Sequence, residues 1–140
     1  MSANDAEGLA HLMLAAYRGT IDDEGDTPDG TRAEIQRTFA GAYGTLLPDC
    51  SWLVEDGDTI RAACLVTYFD MWQAPIVAFV MTDPASKGNG LATNLIKHSM
   101  NSLLEHGYIR LCLAVTEGNA PAQHVYNMLG FEIEESWVSG

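Results

Sequence analysis

Basic side chains are scarce in this sequence: seven Lys and Arg stand against nineteen Asp and Glu, a formal net charge of -12 over 140 residues. Such a surplus repels phosphate backbones and anionic headgroups, which excludes nucleic acid and membrane surfaces as expected partners. Cysteine is sparse as well. Cys50, Cys64 and Cys112 are odd in number, widely spaced and set in or beside apolar runs that read as strand, which argues against a disulfide framework and fits a reducing cytoplasm. No apolar run approaches the roughly eighteen residues of a membrane span, and Asn4, Asp5 and Glu7 stand where a signal peptide carries basic residues. The expectation is a cytoplasmic, unexported chain. Metal chemistry is also unsupported, because His11, His98, His106 and His124 have no ligand-like spacing.

What the sequence does have is 47% hydrophobic residues, enough at this length for one continuous core, and no repeat or linker. Residues 1–140 are therefore expected to form a single domain. Leu9, Leu12, Met13, Ala16 and Tyr17 recur at helical spacing over residues 5 to 18, after candidate caps at Ser2 or Asn4. Thr20 to Gly30 reads as an acidic loop, and Thr31 to Tyr43 as a second helix with Ile35, Phe39 and Ala42 or Tyr43 on one face.

Strands are expected at Ser51 to Val54, Ile60 to Phe69 and Pro75 to Thr82, the first two joined by the turn Glu55-Asp56-Gly57-Asp58. Leu91 to His106 forms a long helix stopped by Gly107, with Leu91, Leu95, Ile96, Met100, Leu103 and Leu104 inward. Ile109 to Val115 is a near-continuous apolar strand, Asn119 to Leu129 a further helix, and Phe131 to Val138 a last strand. The order gives an α/β fold: a mixed, mostly antiparallel sheet with a central parallel pair and helices on both faces.

Two segments carry chemistry. From Val80 to Ala92 a strand runs into a helix N-terminus through Lys87-Gly88-Asn89-Gly90. Amides in a first helical turn lack intrahelical acceptors, the helix dipole adds partial positive charge, and glycine lets a phosphate approach the backbone. The same pattern also serves as an ordinary capped turn. It is no Walker A loop, since no Lys follows the glycines, and the Rossmann fingerprint fails at Thr93. In the second segment, Asn119 and Tyr126 lie seven residues apart, two turns along one helical face, with Ala122 between them. Asn119 and Pro121 also suit a helix start, and Tyr126 a core position.

Together, Val80 to Phe131 resembles the cofactor half of the GNAT superfamily of acyl-CoA-dependent N-acetyltransferases. Its signature Q/R-x-x-G-x-G/A is met by Lys87, Gly88, Asn89, Gly90, Leu91 and Ala92, with Lys in place of Arg or Gln. Its second signature is met by Asn119, Ala120 to Ala122, Tyr126, Gly130 and Phe131. The resemblance implies acetyl-CoA as cosubstrate and no metal, with residues 1–50 as a helical acceptor-side region and 51–140 as the sheet and cofactor-binding region. It implies that the backbone of Val80, Met81 and Thr82 pairs with the pantetheine arm. It further implies that Lys87 and the amides of Gly88, Asn89, Gly90, Leu91, Ala92 and Thr93 take the diphosphate, that Asn119 contacts pantetheine, and that Tyr126 protonates the departing thiolate.

The acceptor implied is a small-molecule or peptide primary amine. The Glu that some relatives use as base is Ala114 here, which leaves Asp22, Asp23, Glu24 and Glu117 as candidates to bind or deprotonate the amine. Each also reads as a solvated charge. Trp52, Trp72 and Tyr68 either line the acceptor cleft or pack. A non-catalytic acyl-CoA or ligand sensor of the same fold is the alternative function, and a homodimer completing a sheet edge is the expected assembly.

Overall fold

A computed structural model describes residues 1–17, 27–86 and 88–113 of the chain. Helix α1, Ala6–Tyr17, follows a short 3-10 turn at Ala3–Asp5; helix α2 is Pro28–Phe39; helix α3 is Leu91–Glu105. Strands are β1, Thr45–Leu46; β2, Trp52–Asp56; β3, Thr59–Phe69; β4, Ala74–Thr82; and β5, Cys112–Leu113. β3 pairs antiparallel with β4 on one side; on the other it pairs antiparallel with β2 along its first half and with β1 near its end. β5 runs parallel to β4, with Ile76 opposite Cys112 and Val77 opposite Leu113. The parallel pair read from the order of elements is thereby observed.

The sheet is covered on both faces because β3 alternates. Ala63 and Leu65 join Leu9, Leu12, Met13 and Ala16 of α1 and Ile35 of α2, whereas Ala62, Cys64 and Val66 join Leu95, Ile96 and Leu103 of α3. Side chains on a strand alternate faces with a period of two, so Val77 and Phe79 of β4 should share a face. They do not. The register shifts so that Leu65 opposes Phe79 and Val66 opposes Val77, leaving Ala78 as the extra residue of a β-bulge. Val77 therefore lies with the α3 cluster and Phe79 with the α1 and α2 cluster. The bulge re-aims the second half of β4, the part that leads into the glycine turn.

Several expectations are corrected. Helix α2 begins at Pro28, inside the segment read as loop, because Thr27 caps it by accepting from the Gly30 N–H and Pro28 fits its first turn. It ends at Phe39, so Ala42 and Tyr43 lie beyond the helix, and Tyr43 is 38% exposed. The sheet starts at Thr45. Leu104 is 62% exposed instead of inward; the buried face of α3 is completed by Ser99 and Ser102. Ser102 accepts a hydrogen bond from the Trp52 indole N–H at 3.0 Å, and the Ser99 hydroxyl donates to the Cys64 sulfur, so both can be buried without an orphaned polar group. Finally, β5 starts at Cys112, not Ile109, which is 91% exposed. The helix expected at Asn119 to Leu129 and the strand at Phe131 to Val138 lie outside the described residues.

Candidate active site

β4 ends at Thr82, and the chain passes through a 3-10 turn at Pro84–Ser86 before α3 begins at Leu91. Asp83 organises this passage. Its N–H donates to the Arg61 carbonyl at 2.8 Å, its carbonyl accepts from the Ser86 N–H at 2.8 Å, and its carboxylate accepts from the Ala85 N–H at 3.1 Å. The other carboxylate oxygen takes a 2.8 Å bond from the Arg61 guanidinium. The Ala85 amide, first, and then Arg61 hold this carboxyl below the usual carboxylate range. Farther along, the Asn89 side-chain amide donates to the Ser86 carbonyl at 3.1 Å.

The two glycines then do what a substituted residue does poorly. Gly88 has φ +87° and Gly90 φ +72°, both left-handed, and a Cβ built on either would meet nothing within 4 Å. Conformation, and not crowding by the protein, requires glycine there. As N-cap of α3, Gly90 has no side chain to accept from the helix's first N–H groups, and the Asn89 amide is engaged with Ser86. Among the described residues no side chain caps this positive helix end, a fit for an anionic group.

Of the residues singled out in the sequence, Val80, Met81 and Thr82 lie at the end of β4, bonded on one edge to Cys64, Ala63 and Ala62 of β3. Gly88, Asn89, Gly90, Leu91, Ala92 and Thr93 follow within the same strand–turn–helix unit. Lys87, Asp22, Asp23, Glu24, Glu117, Asn119 and Tyr126 lie outside the described residues. Trp52 packs on α3, with its ring centroid 5.5 Å from that of His98, and Tyr68 lies 5.9 Å from the Tyr108 ring; both make packing contacts. Trp72 stacks edge-on with Phe69.

Two features escaped the sequence reading. Arg61 is the unmatched residue of a bulge between β2 and β3, where Val54 opposes Ala62 and Glu55 opposes Ile60; its only sequence signal is a lone charge inside an apolar strand. Tyr43 packs edge-on against Phe79, with centroids 5.8 Å apart, and its hydroxyl donates to Glu34, which also pairs with Arg37. The Glu34 bond, above all, raises the Tyr43 phenol above its ordinary pKa. This group borders the bulged half of β4 on the α1 and α2 face. Among the described residues no helix is long and apolar enough to cross a membrane.

Comparison with known proteins gives a consistent picture. The model of the acetyltransferase (GNAT) family matches residues 9–131. Streptothricin acetyltransferase of Streptomyces lavendulae is 34% identical over 113 residues, covering 79% of this chain but only 53% of that protein, so the chain spans about half the length of this relative. Among solved structures, an aminoglycoside 6'-N-acetyltransferase of Acinetobacter haemolyticus superposes with a TM-score of 0.70 at 15% identity, covering 100% of this chain and 93% of the other. An acetyltransferase of Salmonella typhimurium solved with acetyl-CoA gives a TM-score of 0.69 at 17% identity, covering 96% and 78%. At such identities the structural likenesses establish the fold alone.

Proposed function

This chain belongs to the acetyltransferase (GNAT) family, and from that premise we propose that it transfers an acetyl group from acetyl-CoA to a primary amine. The observation that carries the reading is the start of α3 shortly after β4, where the N-cap Gly90 offers no side-chain cap and a Cβ on either left-handed glycine would meet nothing within 4 Å among the described residues. Bound there, acetyl-CoA supplies an acetyl group already activated as a thioester. The amides from Gly88 to Thr93, with Lys87, hold the diphosphate, and Asn119 contacts the pantetheine arm. The backbone of Val80, Met81 and Thr82 pairs with that arm as an added strand would, and the Val80 or Thr82 N–H steadies negative charge on the carbonyl oxygen during attack.

The amine attacks directly, so it must first lose a proton, and Asp22, Asp23, Glu24 and Glu117 remain the acidic candidates for binding or deprotonating it. Tyr126 returns a proton to the sulfur as the thiolate departs. A phenol suits that step because its ordinary pKa of about 10 is near that of an alkyl thiol. The acceptor class we favour is a cationic small molecule. The relative named for streptothricin acetylation supports a small-molecule acceptor, and the net charge of -12, which attracts cations, supports a cationic one. Expected partners are this amine and a second copy of the chain; the expected location is the cytoplasm.

Thiol release from acetyl-CoA, measured with a panel of cationic and neutral amines, tests the reading. Tyr126→Phe should lower kcat about 100-fold while coenzyme A still binds. Binding without amine-dependent thiol release in the parent protein would instead make the chain a sensor of the same fold.

A further inference from the structure

A carboxylate opens the passage from β4 into the glycine turn, in a protein already rich in negative charge. Asp83 immediately follows β4, one 3-10 turn before the two left-handed glycines that lead into α3. An unneutralised carboxylate at this place opposes any anion settling on the amides of that helix start. Arg61 is the group that answers it. Its guanidinium donates to Asp83 at 2.8 Å, both side chains are largely shielded from solvent, at 34% and 21% exposed, and the Asp83 N–H returns a bond to the Arg61 carbonyl. The only other charged group paired with Arg61 among the described residues is Asp56, at 3.8 Å and well exposed.

The same contact begins a chain of hydrogen bonds. It runs from Arg61 to Asp83, from Asp83 to the Ser86 N–H, and from the Ser86 carbonyl to the Asn89 side chain, ending between the two left-handed glycines. The bulge between β2 and β3 frees Arg61 from strand pairing with β2 and lets it serve this turn.

We propose that Arg61 is a positioning residue for coenzyme A binding, which neutralises Asp83 and thereby keeps the glycine turn receptive to a diphosphate. This rests on the acetyl-CoA reading above and adds to it a residue outside the family signature. Two roles are separable within it. A purely architectural Arg61 would matter equally whether or not residue 83 is charged. An electrostatic one matters because residue 83 is charged, so removing that charge should offset the loss of the arginine.

The test is calorimetric titration of coenzyme A into the parent protein and into Arg61→Gln, Arg61→Lys, Asp83→Asn and the Arg61→Gln/Asp83→Asn double variant, at low salt and near 1 M salt. Arg61→Gln should weaken binding about tenfold at low salt, with the loss shrinking at about 1 M, where screening acts within about 3 Å. Arg61→Lys should retain most of the affinity, Asp83→Asn should bind at least as tightly as the parent, and the double variant should recover to within about threefold of it. Circular dichroism and melting of each variant separate misfolding from weakened binding. Affinity for Arg61→Gln equal to the parent's, or a double variant as weak as Arg61→Gln, overturns the proposal. If the parent itself binds no coenzyme A, the acetyl-CoA reading falls first and takes this inference with it.

Discussion

A matched pair of glycine substitutions separates the cost of a backbone conformation from the cost of blocking a ligand. Gly90 at the start of α3 and Gly57 in the turn between β2 and β3 have φ +72° and +63°, and at both an added Cβ would meet nothing within 4 Å. Alanine in the left-handed region costs about 1–2 kcal/mol, and its narrower unfolded ensemble returns about 0.4–1 kcal/mol. Each variant should therefore lose about 1 kcal/mol, or about 3–5 °C in Tm for a chain of this size. The two should be indistinguishable without ligand.

Coenzyme A should split them. At a concentration of about 100 times Kd, binding stabilises the parent and Gly57→Ala by about 2.7 kcal/mol. If the Gly90 Cβ intrudes on the anion and raises Kd about tenfold, the same concentration gives Gly90→Ala only about 1.4 kcal/mol. Melting curves with and without coenzyme A read this difference as about 4–6 °C of missing stabilisation. Equal ligand-induced shifts in both variants would refute the assignment of the anion to the α3 start, whatever the apo stabilities.

Other consequences are as direct. Gly44→Ala should be far more damaging than either variant above, on the order of 3 kcal/mol or more, because its Cβ would stand 2.1 Å from the Tyr68 carbonyl oxygen at φ +106°; urea denaturation measures it. The Cys64 thiol, buried between β3 and α3, is pushed up to about 11 by desolvation, from 9.0. The folded state then holds this proton more tightly than the unfolded chain, so its stabilisation is complete below pH 9 and is lost as pH rises toward 11, by about 3 kcal/mol in all. Urea midpoints over that range, with Cys64→Ala as the reference lacking the slope, check the sign. At the other extreme, the Glu7 carboxyl is held below its ordinary value by its hydrogen bonds and charge pairing with Arg32, which join α1 to α2. That contribution is present above pH 4.5 and fades as pH falls through the lowered value, and Arg32→Gln should remove this acid sensitivity.

How much of this was legible in the sequence depends on whether the signal was local. Helices α1 and α3 and strands β3 and β4 were readable because their apolar residues recur with one period, and the glycine turn because Gly88 and Gly90 sit together between a strand and a helix. Helix α2 starts earlier than the sequence predicts because Thr27-Pro28 reads as loop chemistry, whereas threonine followed by proline is equally a helix cap. The helical pattern of α3 predicts Leu104 inward, yet Ser99 and Ser102 occupy the α3 face toward the sheet, each satisfied by a partner on a distant strand. The Ala78 bulge and the Arg61–Asp83 pair depend on how β3 registers against its neighbours, which no local pattern encodes.

Coenzyme A binding as proposed requires backbone amides at the start of α3 to receive the ligand's diphosphate. Titrating the ¹⁵N-labelled protein with coenzyme A and following amide resonances tests it most directly. Saturable shifts concentrated at Gly88, Asn89, Gly90, Leu91, Ala92 and Thr93 are the predicted result; saturable shifts confined to another surface, or none at millimolar ligand, would contradict it.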